Sequence, residues 1–255
     1  EHDFLHQALV YLAAAVIASF GIHSHQLGFY YDDWTFLEMM HRGGGFLGSV
    51  KAFAAGGYWT RPVEILQFPL FFAVGGLKPL PYHLLMMGLE IAEALLFYVV
   101  LKRLLGSPHI ALAAALLAAI YPNRSITHIW FAASPQTVAL VLVLASMAVF
   151  LAWVSGRRFG TLLASQGLYL ASVLTYESTA FLPLLIIGGL AGGTVPADRC
   201  RGSLPRSLMA LWPYGLSLGL ALAFQRFAGS VLQESNPKVL GLSLSHGLKV
   251  FGAGF

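Results

Sequence analysis

Two adjacent carboxylates, Asp32 and Asp33, stand in the stretch GFYYDDWTFL, residues 28–37. Neighbouring like charges coexist comfortably only with a proton or a cation between them. Phe29, Tyr30, Tyr31 and Trp34 surround them as an interfacial aromatic belt would. A carboxylate partly desolvated in such a belt should titrate high, which suits a general base or a metal ligand. Helix capping accounts for one of the two acids, since Asp is favoured at N-caps. The stretch WTRPVE, residues 59–64, adds Arg61 and Glu64. Arg61 is a permanently charged fork suited to phosphate or carboxylate. A helix starting at Pro62, a favoured first position, would let Arg61 and Glu64 face one site. A surface ion pair between them explains the motif at least as well.

In LTYESTAFLPLL, residues 174–185, Glu177 separates two short apolar runs. An acid near membrane depth is costly and is a functional hypothesis by default. Its plainer role is to favour the start of a following helix. His83, in LKPLPYHLL, and the pair Arg124 and His128, in YPNRSITHIW, read first as residues of a membrane interface. Arg124 and His128 are four apart and share a face if helical. His23 and His25 are two apart, so a metal pair on one helix face is not expected.

The elements that must position these residues are read from composition. Of 255 residues, 57% are hydrophobic and 10% charged, with a mean hydropathy of +0.72. That charge content is far below the quarter or so of soluble domains, and the chain reads as an all-α polytopic membrane protein. Candidate crossings are 5–25, 83–101, 109–121, 136–154, 161–175, 179–193 and 208–227, about seven in all. Residues 5–22 lack the positive start of a secretory signal and read as a retained helix. Residues 63–76 are apolar but short and contain Pro69, so they read as an interfacial or re-entrant helix. Lys102, Arg103, Arg157, Arg158, Arg199, Arg201 and Arg206 then fall in turns on one face, which the positive-inside rule makes cytoplasmic. The acids gather on the other face, within a first external loop, residues 26–82, and later turns. The net charge of +4 reflects those inner turns and does not suggest nucleic acid. One cysteine, Cys200, excludes an internal disulfide. We expect one membrane domain over 1–255, with residues 229–255 an external tail that begins a further C-terminal part.

The order of these motifs resembles the GT-C glycosyltransferases, in the protein O-mannosyltransferase and aminoarabinose-transferase-like branch. The resemblance rests on the acidic pair opening the first external loop, on "RP" before a short helix, and on GLKPLPYH leading into the next span. It rests also on AAIYPNRSITHIWFAAS and TYESTAFLPLL. It implies transfer of a sugar from a polyprenyl-phosphate carrier to an acceptor outside the cytoplasm. By resemblance Asp32 and Asp33 are catalytic. Arg61, Glu64, His83, Arg124, Tyr176 and Glu177 form the substrate-binding set. A divalent metal, where used, falls to Asp33 and Glu177. Tyr176 stands where the family pattern usually has lysine, and Gln136 lies in a stretch where the family often carries an acid. The expected location is a membrane, a bacterial inner membrane in preference to the endoplasmic reticulum, with membrane lipids and membrane proteins as further partners. A non-catalytic subunit keeping this scaffold inside a larger complex is the alternative; its small residues permit close helix packing. A transporter ranks last, because no paired broken helices recur in two halves.

Overall fold

The structure, a computed structural model, describes residues 2–121, 125–156, 158–185 and 211–232. Among these residues there is no strand. Helix α1 (His2–Ser19) continues into a 3-10 turn, Gly21–Gln26. Three short helices follow: α2 (Asp33–Arg42), α3 (Phe46–Ala55) and α4 (Pro62–Gly75), with a 3-10 turn at Tyr58–Thr60 before α4. Then come α5 (Pro79–Leu105), α6 (Pro108–Ala119), α7 (Ser125–Ile129), α8 (Ser134–Gly156), α9 (Phe159–Thr175) and α10 (Trp212–Leu232).

Among the described residues, three segments are long and apolar enough to cross a membrane: Phe4–Gln26, Pro79–Leu105 and Phe131–Val154. The expected seven crossings are therefore matched by three full-length candidates. The shortfall is one of length. At 1.5 Å per residue α6 is about 18 Å long and α9 about 26 Å, against a hydrocarbon core of about 30 Å. Helix α10 is long enough, but Trp212, Pro213, Gln225 and Arg226 dilute its apolar character. Residues 186–193 of the expected sixth crossing, and the tail beyond residue 232, lie outside the described residues.

Helix α5 is the spine of the bundle. Ala94 and Tyr98 pack with α1 and α6, Val100 and Leu104 pack with α8 and α9, and Tyr82 and Met86 pack under α2 to α4. Buried hydroxyls set helix directions. Ser146 and Ser172 on α8 and α9 donate to Ser165 and Ala139 carbonyls, which fixes an antiparallel pair. Ser217 donates to Gln166 and Gln225 to the Val173 carbonyl, so α10 runs parallel to α9. Arg103 donates to the Ala148 carbonyl. Lys102, Arg103 and Arg158 thus lie at one end of the bundle, and the loop helices α2 to α4 at the other.

That second end is roofed by aromatics. Phe53 and Phe68 stack, Phe36 packs tilted against both, and Phe131 lies edge-on to Phe68 and Tyr82. Helix α4 lies within this end. It buries Glu64, Ile65, Gln67 and Phe68, while Leu66, Leu70 and Val74 form an exposed apolar ridge at helical spacing. Gln67 donates to Ser134 at 2.8 Å, both buried, tying α4 to the start of α8. The turn into α5 needs glycine twice. Gly76 has φ +56°, and a Cβ on Gly75 would lie 2.4 Å from the Tyr82 ring. Tyr82 closes the turn by donating to the Gly76 carbonyl at 2.7 Å.

Candidate active site

Arg61 precedes Pro62, the first residue of α4. Its Nη2 donates to Glu177 Oε1 at 2.8 Å and its Nε to Oε2 at 3.2 Å, a two-pronged clamp across 116 residues of sequence. The Nη1 edge reaches Glu64 Oε1 only at 3.5 Å. The Tyr176 ring lies 4.3 Å from the guanidinium carbon, a cation–π contact. Tyr176 thus takes, through its π face, a place beside Arg61. The ion pairs are graded by burial: Glu64 is 5% exposed at the side chain, Arg61 30% and Glu177 54%.

Burial drives the Glu64 carboxyl up to about 7, against the opposing charge of Arg61. Burial acts the same way on Glu177, but the hydrogen bond from Arg61 and its charge outweigh it and hold that carboxyl below the ordinary value. On Arg61 burial works against the charged form, and its two carboxylate partners more than reverse this. Two acids on one cation therefore behave differently because one is buried and the other wet.

The acid pair is split by the fold. Asp33 is fully buried, and its Oδ1 accepts from the Ala132 backbone N–H at 2.7 Å and its Oδ2 from the Tyr30 N–H at 2.9 Å. It pins the second external turn to the first. Burial raises its carboxyl despite these backbone donors. Asp32 occupies the N-cap position of α2 without making a side-chain cap bond, and it is exposed. Tyr31, just before the pair, has φ +43°. That left-handed conformation is an outlier for a bulky residue and costs of order 1–3 kcal/mol. After this turn Asp32 is exposed and Asp33 buried. Tyr58 links this pair to the Arg61 cluster: burial raises its phenol, and the charges of Glu64 and Asp32 add to that rise.

The other expected residues fall as follows. His83 is buried, with Nε2 on the Gly28 carbonyl at 3.1 Å, and it lines a separate cavity described below. Arg124 lies outside the described residues. Asp33 and Glu177, the expected metal pair, are held by different partners. Among the described residues no three His, Cys, Asp or Glu side chains converge as a metal site. The arrangement does not fit a metal held by Asp33 and Glu177.

Beside Glu177 lies a cavity of about 480 Å³ of mixed lining, with Thr127, Gln136, Thr137, Ser178 and Thr179 as its uncharged polar residues. Ser178 follows Glu177 directly. Through Glu93, Leu140 and Leu182 this cavity adjoins an apolar slot of about 720 Å³ between α5, α6 and α8. The slot runs past Phe97, Leu101, Leu144 and Met147.

Two acids were missed by reading the sequence. Glu90 and Glu93 are buried on α5, 3% and 5% exposed, within a segment able to cross a membrane. Glu90 pairs with His128 of α7. The signal was available: two carboxylates interrupt an otherwise apolar span.

No family model matches the chain, and no solved structure matches it. Over 154 residues the chain is 31% identical to "Protein O-mannosyl-transferase Tmtc1" of Drosophila melanogaster. The match covers 58% of this chain and 18% of that protein, so the chain spans under a fifth of the relative's length.

Proposed function

We propose that this chain is the membrane core of a glycosyltransferase that moves a sugar from a polyprenyl-phosphate-linked donor to an acceptor on the extracytoplasmic side. The observation that carries the reading is the Arg61 clamp on Glu177, whose neighbour Ser178 lines a cavity that adjoins an apolar slot. A lipid-linked donor has this form: an apolar chain, a phosphate, then a polar head. The bundle end carrying Lys102, Arg103 and Arg158 is the cytoplasmic one, by the positive-inside rule. The shorter helices α6 and α9, with their neighbouring turns, and α10 bring the three long segments to six crossings, and the expected stretch 179–193 would supply a seventh. The similarity to a protein O-mannosyltransferase supports the same reading.

In this scheme Asp32, exposed and unbonded, takes the proton of the acceptor hydroxyl. The acceptor oxygen bonds to the anomeric carbon from the face opposite the phosphate. The carbon–phosphate-oxygen bond breaks, and the phosphate leaves with the electron pair, inverting the centre. Arg61 meets that phosphate with its Nη1 edge, the one least engaged by carboxylate, while Glu177 and Tyr176 hold the guanidinium plane. Protonated Glu64 would leave Arg61 and Glu177 as a neutral pair able to accept an anion. Asp33 positions the loop and touches no reactant. No step is routed through a metal.

The test uses the full chain, purified from membranes. Polyprenyl phosphate should co-purify with the wild type and with Asp32→Asn, and be lost from Arg61→Ala. Transfer of labelled sugar, with mannose tried first, should fail in both variants. A specific observation favours the second reading, a non-catalytic subunit: Phe181, Leu184 and Leu185 leave apolar surface exposed beside the slot. A stoichiometric partner helix in the slot, with no polyprenyl phosphate retained, would establish that reading and end the first.

A further inference from the structure

A separate cavity, of about 170 Å³, lies between the end of α1, the 3-10 turn after it, α5 and α7. Ser24, His83, Glu90 and His128 line it, with Phe20 as an aromatic wall and the exposed His23 at its rim. The three titratable groups deep in it are nine-tenths or more buried: His83 is 3% exposed, Glu90 3% and His128 7%.

Their hydrogen-bond accounts do not close. His83 Nε2 faces the Gly28 carbonyl. A carbonyl only accepts, so Nε2 carries the proton and Nδ1 is an acceptor in the neutral ring. His83 Nδ1 has no partner among the described residues. His128 contacts Glu90 Oε1 through Nδ1. That contact is not a hydrogen bond, and His128 Nε2 has no partner among the described residues either; with the ring proton on Nδ1, towards the carboxylate, Nε2 of the neutral ring is an acceptor. Glu90 Oε2 is the third unpartnered acceptor. His128 is held in place by stacking on Phe20, with ring centres 3.4 Å apart.

Three buried acceptors, one of them on a carboxylate, call for a guest that brings donors and positive charge. A water brings two donors and a new acceptor. A quaternary ammonium brings charge but no N–H. A primary ammonium brings one positive charge and three N–H donors. The cavity has room for it beside a few waters, each of about 30 Å³.

We propose that this cavity is a binding site for a primary ammonium group, held by His83 Nδ1, Glu90 Oε2 and His128 Nε2. The group is either the headgroup of an aminophospholipid or a free small amine. The site is separate from the Arg61 cluster and does not depend on the reading given to that cluster.

The test compares methylammonium with tetramethylammonium on the purified full chain in phosphatidylcholine nanodiscs, by thermal unfolding. Methylammonium should raise the melting temperature and bind at least about tenfold tighter than tetramethylammonium, the size of loss expected when charge-assisted hydrogen bonds cannot form. Glu90→Gln should weaken methylammonium by about tenfold. Native mass spectrometry then separates the sources. Retention of phosphatidylethanolamine over phosphatidylcholine, with methylammonium competing, identifies the lipid; a methylammonium response without lipid preference identifies a free amine. An equal response to both ammonium ions in the wild type overturns the proposal, and this comparison stands even where Glu90→Gln does not fold. A response that survives intact in folded Glu90→Gln overturns it as well.

Discussion

Glu64 is a buried acid whose neighbouring cation, Arg61, is claimed more tightly by another acid, and this makes stability depend on pH in a definite direction. Its carboxyl titrates at about 7 in the folded chain, against 4.5 unperturbed. Below pH 4.5 both folded and unfolded chains hold the proton, and the group contributes nothing to the difference. Between these values the folded chain keeps the proton and the unfolded chain has lost it, so stability falls as pH rises. Above about 7 both are ionised and the full cost remains. A displacement of some 2.5 units corresponds to roughly 3 kcal/mol. The perturbation is Glu64→Gln, which keeps the shape and removes the charge. Arg61 keeps its two bonds to Glu177, because the Glu64 contact, at 3.5 Å, is its longest. We expect the variant to exceed the wild type by less than about 1 kcal/mol near pH 5 and by as much as about 3 kcal/mol at pH 8, with the difference opening between. Unfolding in detergent or nanodiscs from pH 4.5 to 8.5, followed by tryptophan fluorescence, measures it. If the two curves run parallel across that interval, or the variant loses stability at pH 8, the burial argument for Glu64 is wrong.

Asp33→Asn should destabilise the fold by about 1–3 kcal/mol, since Asn retains one acceptor oxygen for two backbone donors and leaves either the Tyr30 or the Ala132 N–H unpaired. Asp32→Asn, at an exposed carboxylate without a cap bond, should change stability by less than about 0.5 kcal/mol, and equal losses in the two melting curves would contradict the division of the pair. Gly75→Ala should cost about 1–3 kcal/mol through the Tyr82 ring, and Tyr82→Leu in the same chain should relieve part of it; additive losses in the double variant would remove the clash as the cause. Tyr31→Gly should not lower the melting temperature, because release of the left-handed strain offsets the entropy of glycine; a loss above about 1 kcal/mol would show that the φ of +43° carries no strain.

The sequence was most legible where one residue dictates local geometry. Pro62 fixes the start of α4, and that start places Arg61 and Glu64 on one side. The apolar runs gave the long segments around α1, α5 and α8. The count of crossings was less legible: the runs at 109–121 and 161–175 are visibly short in the sequence, and α6 and α9 keep that shortness in the fold. Within the acid pair, spacing treated Asp32 and Asp33 alike. Which one is buried depends on the Ala132 N–H, 99 residues away, and on the backbone at Tyr31. Tyr176 was read as a missing positive charge, whereas its ring contributes through the π face to a cation supplied from elsewhere. Glu90 was readable as an acid inside an apolar span. Its partner His128 was not, because the pairing crosses between helices that meet only in the folded chain.

The electrostatic design of the Arg61 cluster bears on how an anion could enter it. With Glu64 and Glu177 both ionised, the triad carries a net charge of −1 and repels a phosphate. With Glu64 protonated the triad is neutral, and the Nη1 edge of Arg61 faces a group that no longer competes as a charge. Burial, by setting the Glu64 carboxyl near 7, places that change within reach of ordinary pH. Glu177 cannot play the same part, because half-exposure and two short bonds from Arg61 keep it ionised well below that range. It is the fixed arm that orients the guanidinium, and Glu64 is the adjustable one. Retention of polyprenyl phosphate by the wild type should therefore weaken as pH rises through about 7, while Glu64→Gln retains it at pH 8 as the wild type does at pH 6. Loss of retention in Glu64→Gln at every pH would mean that the carboxylate itself, and not its neutralisation, supports the phosphate.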